Sequence, residues 1–252
     1  MPSFSKANAK IERLSQVEGT SKYLAGKRKV YSFDLISGWS CPYAEECLSK
    51  VHDKNGRKKI VDGPRTKFRC FSASQEAIYN NVYNKRYNNF LDVRKNCGDP
   101  SSVADMLDSV FPKDAGIIRI HVGGDFFNSN YFMGWIRMAL RHPDNLFYAY
   151  TKSLKYWTQN INAIPDNFIL TASRGGRLDN MIDEYKLREA IVVFSEEQAE
   201  NLNLEIDHDD SHAADPLKKD QSFALLIHGV QPAGTEASMA LRKLKGKGSY
   251  SK

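Results

Sequence analysis

The chain has 252 residues, 41% of them hydrophobic and 11% aromatic, which is enough to bury one large core and too apolar for a disordered chain. No run of about 18 apolar residues exists, which argues against a membrane-spanning helix, and the opening MPSFSKANAKIERLSQ lacks the apolar stretch of a secretory signal, so a cytoplasmic location is expected. The 36 Lys+Arg against 30 Asp+Glu, net +6, favour an anionic partner such as nucleic acid, although solvated surface and a frayed tail are the preferred explanation of the basic stretches Lys27-Arg28-Lys29, Arg57 to Arg69 and Arg242 to Lys252.

In chain order, Ala9, Ile11, Leu14 and Val17 stand near helical spacing and predict a short amphipathic helix over about 7–17. Lys29 to Ile36 alternates apolar and polar residues and stops at Ser37-Gly38, which reads as a first strand. A basic insertion over about 48–69 carries Asn55-Gly56, the strongest two-residue hairpin signal. Five more apolar runs read as strands: Gly116–Val122, Leu146–Tyr150, Phe168–Ala172, Ala190–Phe194 and Phe223–Ile227. Helical patterns fall at about 73–94, 102–110, 129–141, 178–188, 196–202 and 234–244. Strands alternating with helices imply parallel pairing through right-handed crossovers. The expectation is one α/β domain over 1–252 whose six strands suit either a partial (β/α)6 TIM-like barrel or an open wound sheet, with a cysteine loop after the first strand. Asp207 to Lys219 is expected to be the least structured stretch, and about 245–252 a loose basic tail.

Parallel sheets place their chemistry at the carboxyl ends of the strands. Cys41 and Cys47 follow the first strand, five residues apart, and Cys70 returns after 22 more. A hairpin between them would close that gap and form a three-thiol cup. Four cysteines in a reducing compartment do not make a disulfide framework. On spacing alone the trio fits an iron–sulfur cluster, a zinc site completed by Cys97 or His52, or plain burial. Cys97, before Gly98-Asp99-Pro100, reads as a helix-end residue.

The segment from Phe33 through Cys41-Pro42-Tyr43-Ala44, Cys47 and Cys70-Phe71-Ser72-Ala73 resembles the phage gene product 88 family, as do Arg119 to Phe127 and Phe147-Tyr148-Ala149-Tyr150-Thr151. That family looks like a distant relative of radical S-adenosylmethionine enzymes. The resemblance implies a partial barrel, a 4Fe-4S cluster on Cys41, Cys47 and Cys70, and S-adenosylmethionine held by the turn Gly123-Gly124-Asp125. It also implies a protein in the cytoplasm of an infected host cell, or one associated with the virion. The cysteine spacing is wider than the usual CxxxCxxC, and Arg69 replaces an aromatic residue before the last cysteine.

Asp125 could grip an ammonium group or cap the helix that begins near Ser129. Lys152 and Arg174 end the third and fourth strands and could bind a carboxylate or phosphate. The Arg174-Gly175-Gly176-Arg177 run adds exposed backbone N–H groups to two guanidiniums. His208 to His212 gathers two imidazoles and two carboxylates, suited to a second metal or to a polar surface loop. His121 and His228 read as core groups at strand ends. Tyr79, Tyr83, Tyr87 and Phe90 share one helix face, for core packing or for stacking on unpaired bases. No motif specifies a substrate or an oligomeric state.

Overall fold

The two-residue alternation of the strands sorts their side chains into two layers, one on each side of a seven-stranded sheet. The computed structural model describes residues 1–7 and 11–244. Its strands are β1 (Ser5–Lys6), β2 (Lys29–Phe33), β3 (Ser49–Lys54), β4 (Arg57–Asp62), β5 (Ala115–Ile120), β6 (Leu146–Thr151), β7 (Phe168–Ser173), β8 (Glu189–Val193) and β9 (Phe223–Leu226). The main sheet runs β1-β2-β5-β6-β7-β8-β9, and β3 pairs only with β4. Within the main sheet every pairing from β2 to β9 is parallel, and each strand lies beside the next main-sheet strand along the chain; β1 is antiparallel to β2. The protein is therefore a mixed α/β structure with a mostly parallel sheet, whose strand carboxyl ends share one rim.

Ten α-helices occur among the described residues: α1 (Glu18–Ser21), α2 (Phe71–Ile78), α3 (Asn80–Asn96), α4 (Pro100–Ser109), α5 (Ser129–Arg141), α6 (Leu154–Gln159), α7 (Asn180–Tyr185), α8 (Glu196–Asn201), α9 (Ser211–Ala214) and α10 (Glu236–Lys243). None is long and apolar enough to cross a membrane. On the outer face of the sheet, Ile118, Ile120, Phe147, Ala149, Phe168 and Leu170 pack against Trp135, Phe132, Leu107 and Val103 of α4 and α5. On the inner face, Val30, Ile117, Tyr148 and Ile169 meet Leu14 and the buried Ala213 and Ala214 of α9.

Several elements depart from the expectations. The first helix is a 3-10 turn over Ile11–Gln16 that breaks where Val17 is extended (φ −91°, ψ 127°), and residues 8–10 of the expected span lie outside the described residues. The pattern over 73–94 is two helices, because Tyr79 is extended (φ −108°, ψ 109°) between α2 and α3. Asp207 to Lys219 is ordered: α9 is buried and Arg188 donates to the carbonyls of His212, Ala213 and Lys218, satisfying the orphan acceptors at the helix end. The expected tail over 245–252 lies outside the described residues. Of the basic stretches, Arg28 donates to the carbonyls of Ala115 and Asp144, and Lys29 pairs with Asp114, away from the strand rim.

Candidate functional site

The cysteine loop is rooted in a buried polar lock. Glu76 is fully buried on α2 and accepts from the N–H and hydroxyl of Ser37 and from Arg86 of α3. Burial raises the Glu76 carboxyl, and the Arg86 guanidinium opposes that rise. Three residues beyond Ser37, Ser40 donates to Ile36, closing the turn that presents Cys41, and the N–H of Gly38 donates to Cys41 Sγ at 3.3 Å.

The insertion after Cys47 forms the expected hairpin. β3 and β4 pair from Ser49↔Asp62 to Lys54↔Arg57, and Asn55 and Gly56 both adopt left-handed backbone (φ +54° and +81°) at its tip. The chain returns beside its start, where the N–H groups of Lys67 and Phe68 donate to Glu46, next to Cys47. Cys70 then caps the N-terminus of α2. Burial pushes its thiol up to about 11 and the nearby Cys47 adds to the rise, whereas the N–H groups of Ala73 and Ser72 favour the thiolate. Cys41 is pushed well above the usual thiol range, by burial first and then by Asp125, Cys70 and Cys47.

All three cysteines line one cavity of about 210 Å³ at the strand rim, together with Gly123, Gly124, Asp125 and Lys152. The glycine turn is built by close approach. Gly124 has φ +95°, and a Cβ there would stand 2.7 Å from both Leu35 Cβ and Ser40 Oγ of the cysteine loop. Asp125 is not a helix cap; Asn128 fills that role for α5 by accepting from the Tyr131 N–H. Asp125 instead ties β5 to β6: Oδ1 accepts from Thr151 Oγ1 (2.6 Å) and the Phe126 N–H (2.7 Å), and Oδ2 from the Lys152 N–H (2.9 Å). Burial raises its carboxyl to about 6 against those three hydrogen bonds. Lys152 Nζ donates to Ser173 O, Ser173 Oγ and Arg174 O, so all three ammonium protons have neutral partners and the charge stays beside Asp125.

Arg174 does not join this group. Its guanidinium is held by Glu189 and Asp183, and it does not line the cavity. The anion nest expected at Gly175-Gly176 is filled from within, since both N–H groups donate to the Asp179 carboxylate at 2.8 and 2.9 Å. The loop serves as a strut: Ala44 bridges to Gly176, Glu46 N–H donates to Gly175 O, and Arg177 N–H donates to Tyr43 O. It thereby clamps the cysteine loop to the end of β7.

Other candidates sort cleanly. Cys97 caps the carboxyl end of α3, bonded to Arg94 O and Asn128, and His52 meets Trp39 edge to face; neither lines the cavity. Among the described residues no group of three or more His, Cys, Asp or Glu side chains is gathered tightly enough to hold a single metal ion. His121 leaves the strand alternation through a left-handed backbone (φ +71°), packs its ring on Phe126 and Tyr131, and is lowered to about 3 by burial. His212 is bonded to Glu205 on the inner face. His228 lines the cavity with its ring against Phe71.

Sequence reasoning missed the inner end of the cavity. Arg119 of β5 pairs with Asp210, which also accepts from Tyr148 Oη at 2.8 Å, and the Arg119 guanidinium lies over the Tyr150 ring. The signal was present in Ile117-Ile118-Arg119-Ile120, where one arginine interrupts a buried strand.

Fold and site together define an α/β protein with a cysteine-lined cavity at the carboxyl rim of a parallel sheet. The model of one family, gene product 88, matches residues 2–244, and the chain belongs to that family. No curated protein and no solved structure gives a significant match.

Proposed function

We propose that this protein is an iron–sulfur protein built on a partial six-stranded barrel of the radical S-adenosylmethionine type, with Cys41, Cys47 and Cys70 as cluster ligands. The observation that carries this reading is the meeting of Cys41 and Cys47 of one loop with Cys70, which arrives after the hairpin, in one cavity beside the Gly123-Gly124-Asp125 turn. The consecutive order of six parallel strands supports the barrel, because singly wound barrels add each strand beside the last.

The donor set fits a cluster better than one zinc ion. A mononuclear site draws all its ligands onto one centre, whereas the thiolates of a cluster each hold a different iron and stand apart. The three thiols line one cavity, and the fourth ligands considered for zinc, Cys97 and His52, do not line it. A cluster with three protein ligands supplies an iron with an open position and one-electron redox chemistry. The chain's own contributions are a buried carboxylate at Asp125, suited to an ammonium group, a fixed positive charge at Lys152, and a shell of Phe71, Val122 and Leu225 that limits water.

Anaerobic reconstitution with iron and sulfide, followed by visible absorption and counts of iron and sulfide per chain, tests the reading. A broad absorption band that disappears in Cys41→Ser, Cys47→Ser and Cys70→Ser but persists in Cys97→Ser is expected. Protein that takes up no sulfide, or a band insensitive to those three substitutions, rejects it. Release of 5′-deoxyadenosine from S-adenosylmethionine under reductant tests the cofactor step separately.

A further inference from the structure

The aromatic face of α3 does not end in the core. Phe90 is buried, but Tyr87 is 40% exposed and Trp39 at the root of the cysteine loop is 45% exposed, a large apolar display for a surface that meets only water. Trp39, His52, Tyr83, Tyr87 and Leu91 line a groove of about 300 Å³ between the β3–β4 hairpin and α3. Trp39 and His52 meet edge to face at 5.0 Å, and Tyr83 stacks on Tyr87 at 5.8 Å with planes 7° apart, so flat rings stand on both walls.

Cations frame these rings. Lys50 Nζ lies 4.7 Å above the Trp39 ring, Lys58 Nζ lies 4.7 Å above Tyr83, and Arg94 forms the far end of the groove. Lys54, Arg57 and Lys59 extend the positive charge along the exposed hairpin. The rest of the insertion is neutralised within the chain, Arg65 on Glu45, Lys67 on Glu46 and Arg69 on Asp62. Among the described lining residues the sole carboxylate is Asp53, which accepts from the Gly56 N–H and so closes the hairpin tip.

We propose that this groove binds single-stranded nucleic acid, with bases stacked on Trp39 and Tyr87 and phosphates held by Lys50, Lys54, Arg57 and Lys58. Part-exposed rings inside a cationic frame suit unpaired bases, because a duplex hides the base faces that such rings need. The site stands apart from the cysteine cavity and requires no cluster, so it survives or fails independently of the preceding section.

Of the three tryptophans, Trp135 and Trp157 are buried, which makes Trp39 the accessible reporter. Titrating the full chain at low salt with oligothymidine or oligouridine of about 12 nucleotides, within the span such sites cover, should quench tryptophan emission. Binding should weaken with salt at a slope of about −0.7 per phosphate contacted. Tyr87→Ala, at an exposed helix position, should weaken binding about tenfold, and Lys54→Glu with Arg57→Glu should weaken it further and flatten the salt slope. Trp39 also anchors the hairpin by donating to Val51 O, so Tyr87→Ala is the variant whose fold is secure. Absence of quenching, equal affinity for a duplex of the same length, unchanged affinity in Tyr87→Ala, or equal competition by polyphosphate would each overturn the proposal.

Discussion

The two faces of the main sheet are made by the same strands and differ in kind. The outer face is dry: Phe33, Phe147 and Trp135 pack edge to face at 5.4 to 6.3 Å, with Ile118, Ile120 and Leu170 filling between them. The inner face buries charge, in the Arg119–Asp210 pair and in Arg188, which donates to Thr171 and to the carbonyls around α9. Hydrophobic burial alone explains the first arrangement. It does not explain the second, since a buried ion pair is commonly no more stable than well-packed apolar residues of the same size. Arg119 and Asp210, kept at that cost, line the cavity, whereas Arg188 fastens α9 beneath the sheet.

The largest test of the difference is Trp135→Ala. Deleting a fully buried indole leaves a cavity among Phe4, Phe33 and Phe147, and should cost about 3–5 kcal/mol in urea unfolding while leaving the cysteine cavity's composition unchanged. Next comes Arg119→Leu, which strands Asp210 as a buried charge and should cost about 3 kcal/mol. Adding Asp210→Asn should recover most of that loss. Asparagine tolerates the left-handed backbone at position 210 (φ +65°) and can still accept from Tyr148. A double-mutant cycle with no coupling would show that the pair contributes nothing beyond its two separate side chains.

The outer face was legible in the sequence because its cause is local and periodic. Each strand run from Gly116 to Ile227 was found to within a few residues, and the Asn55-Gly56 turn fixed the hairpin that returns Cys70 to Cys47. The inner face was not legible, because its pairs join residues far apart in sequence: Arg119 to Asp210 spans 91 residues and Arg188 to Thr171 joins neighbouring strands. β1 was missed since two residues carry no period. Arg174 was misread because its carboxylate partners, and Asp179 in the glycine nest, come from the following helix and strand. The shared cavity of the cysteines and the Gly123-Gly124-Asp125 turn was legible through the position of loops at strand ends, which a parallel sheet imposes on any sequence that forms one.

The remaining effects set two buried histidines against each other through pH. His121 lines the cavity at the end of β5 with its ring on Phe126 and Tyr131, and burial lowers it to about 3 from an unfolded value near 6.5. The unfolded chain therefore binds the proton first, and stability falls as pH drops from about 6.5 toward 3, by at most about 1.4 kcal/mol per unit. His121→Asn, which keeps a residue tolerant of φ +71°, should make the acid limb of the stability curve shallower than wild type. His212 on the inner side behaves oppositely. Asp207 and then Glu205 raise it against burial, so its stabilising contribution is complete below the unfolded value and is lost as pH rises through the folded one. His212→Gln should remove a small loss of stability on the neutral-to-alkaline side. Thermal unfolding of both variants across pH 4 to 9 distinguishes the two directions, and a shared direction would mean that the charge environments of the two histidines are not the ones described here.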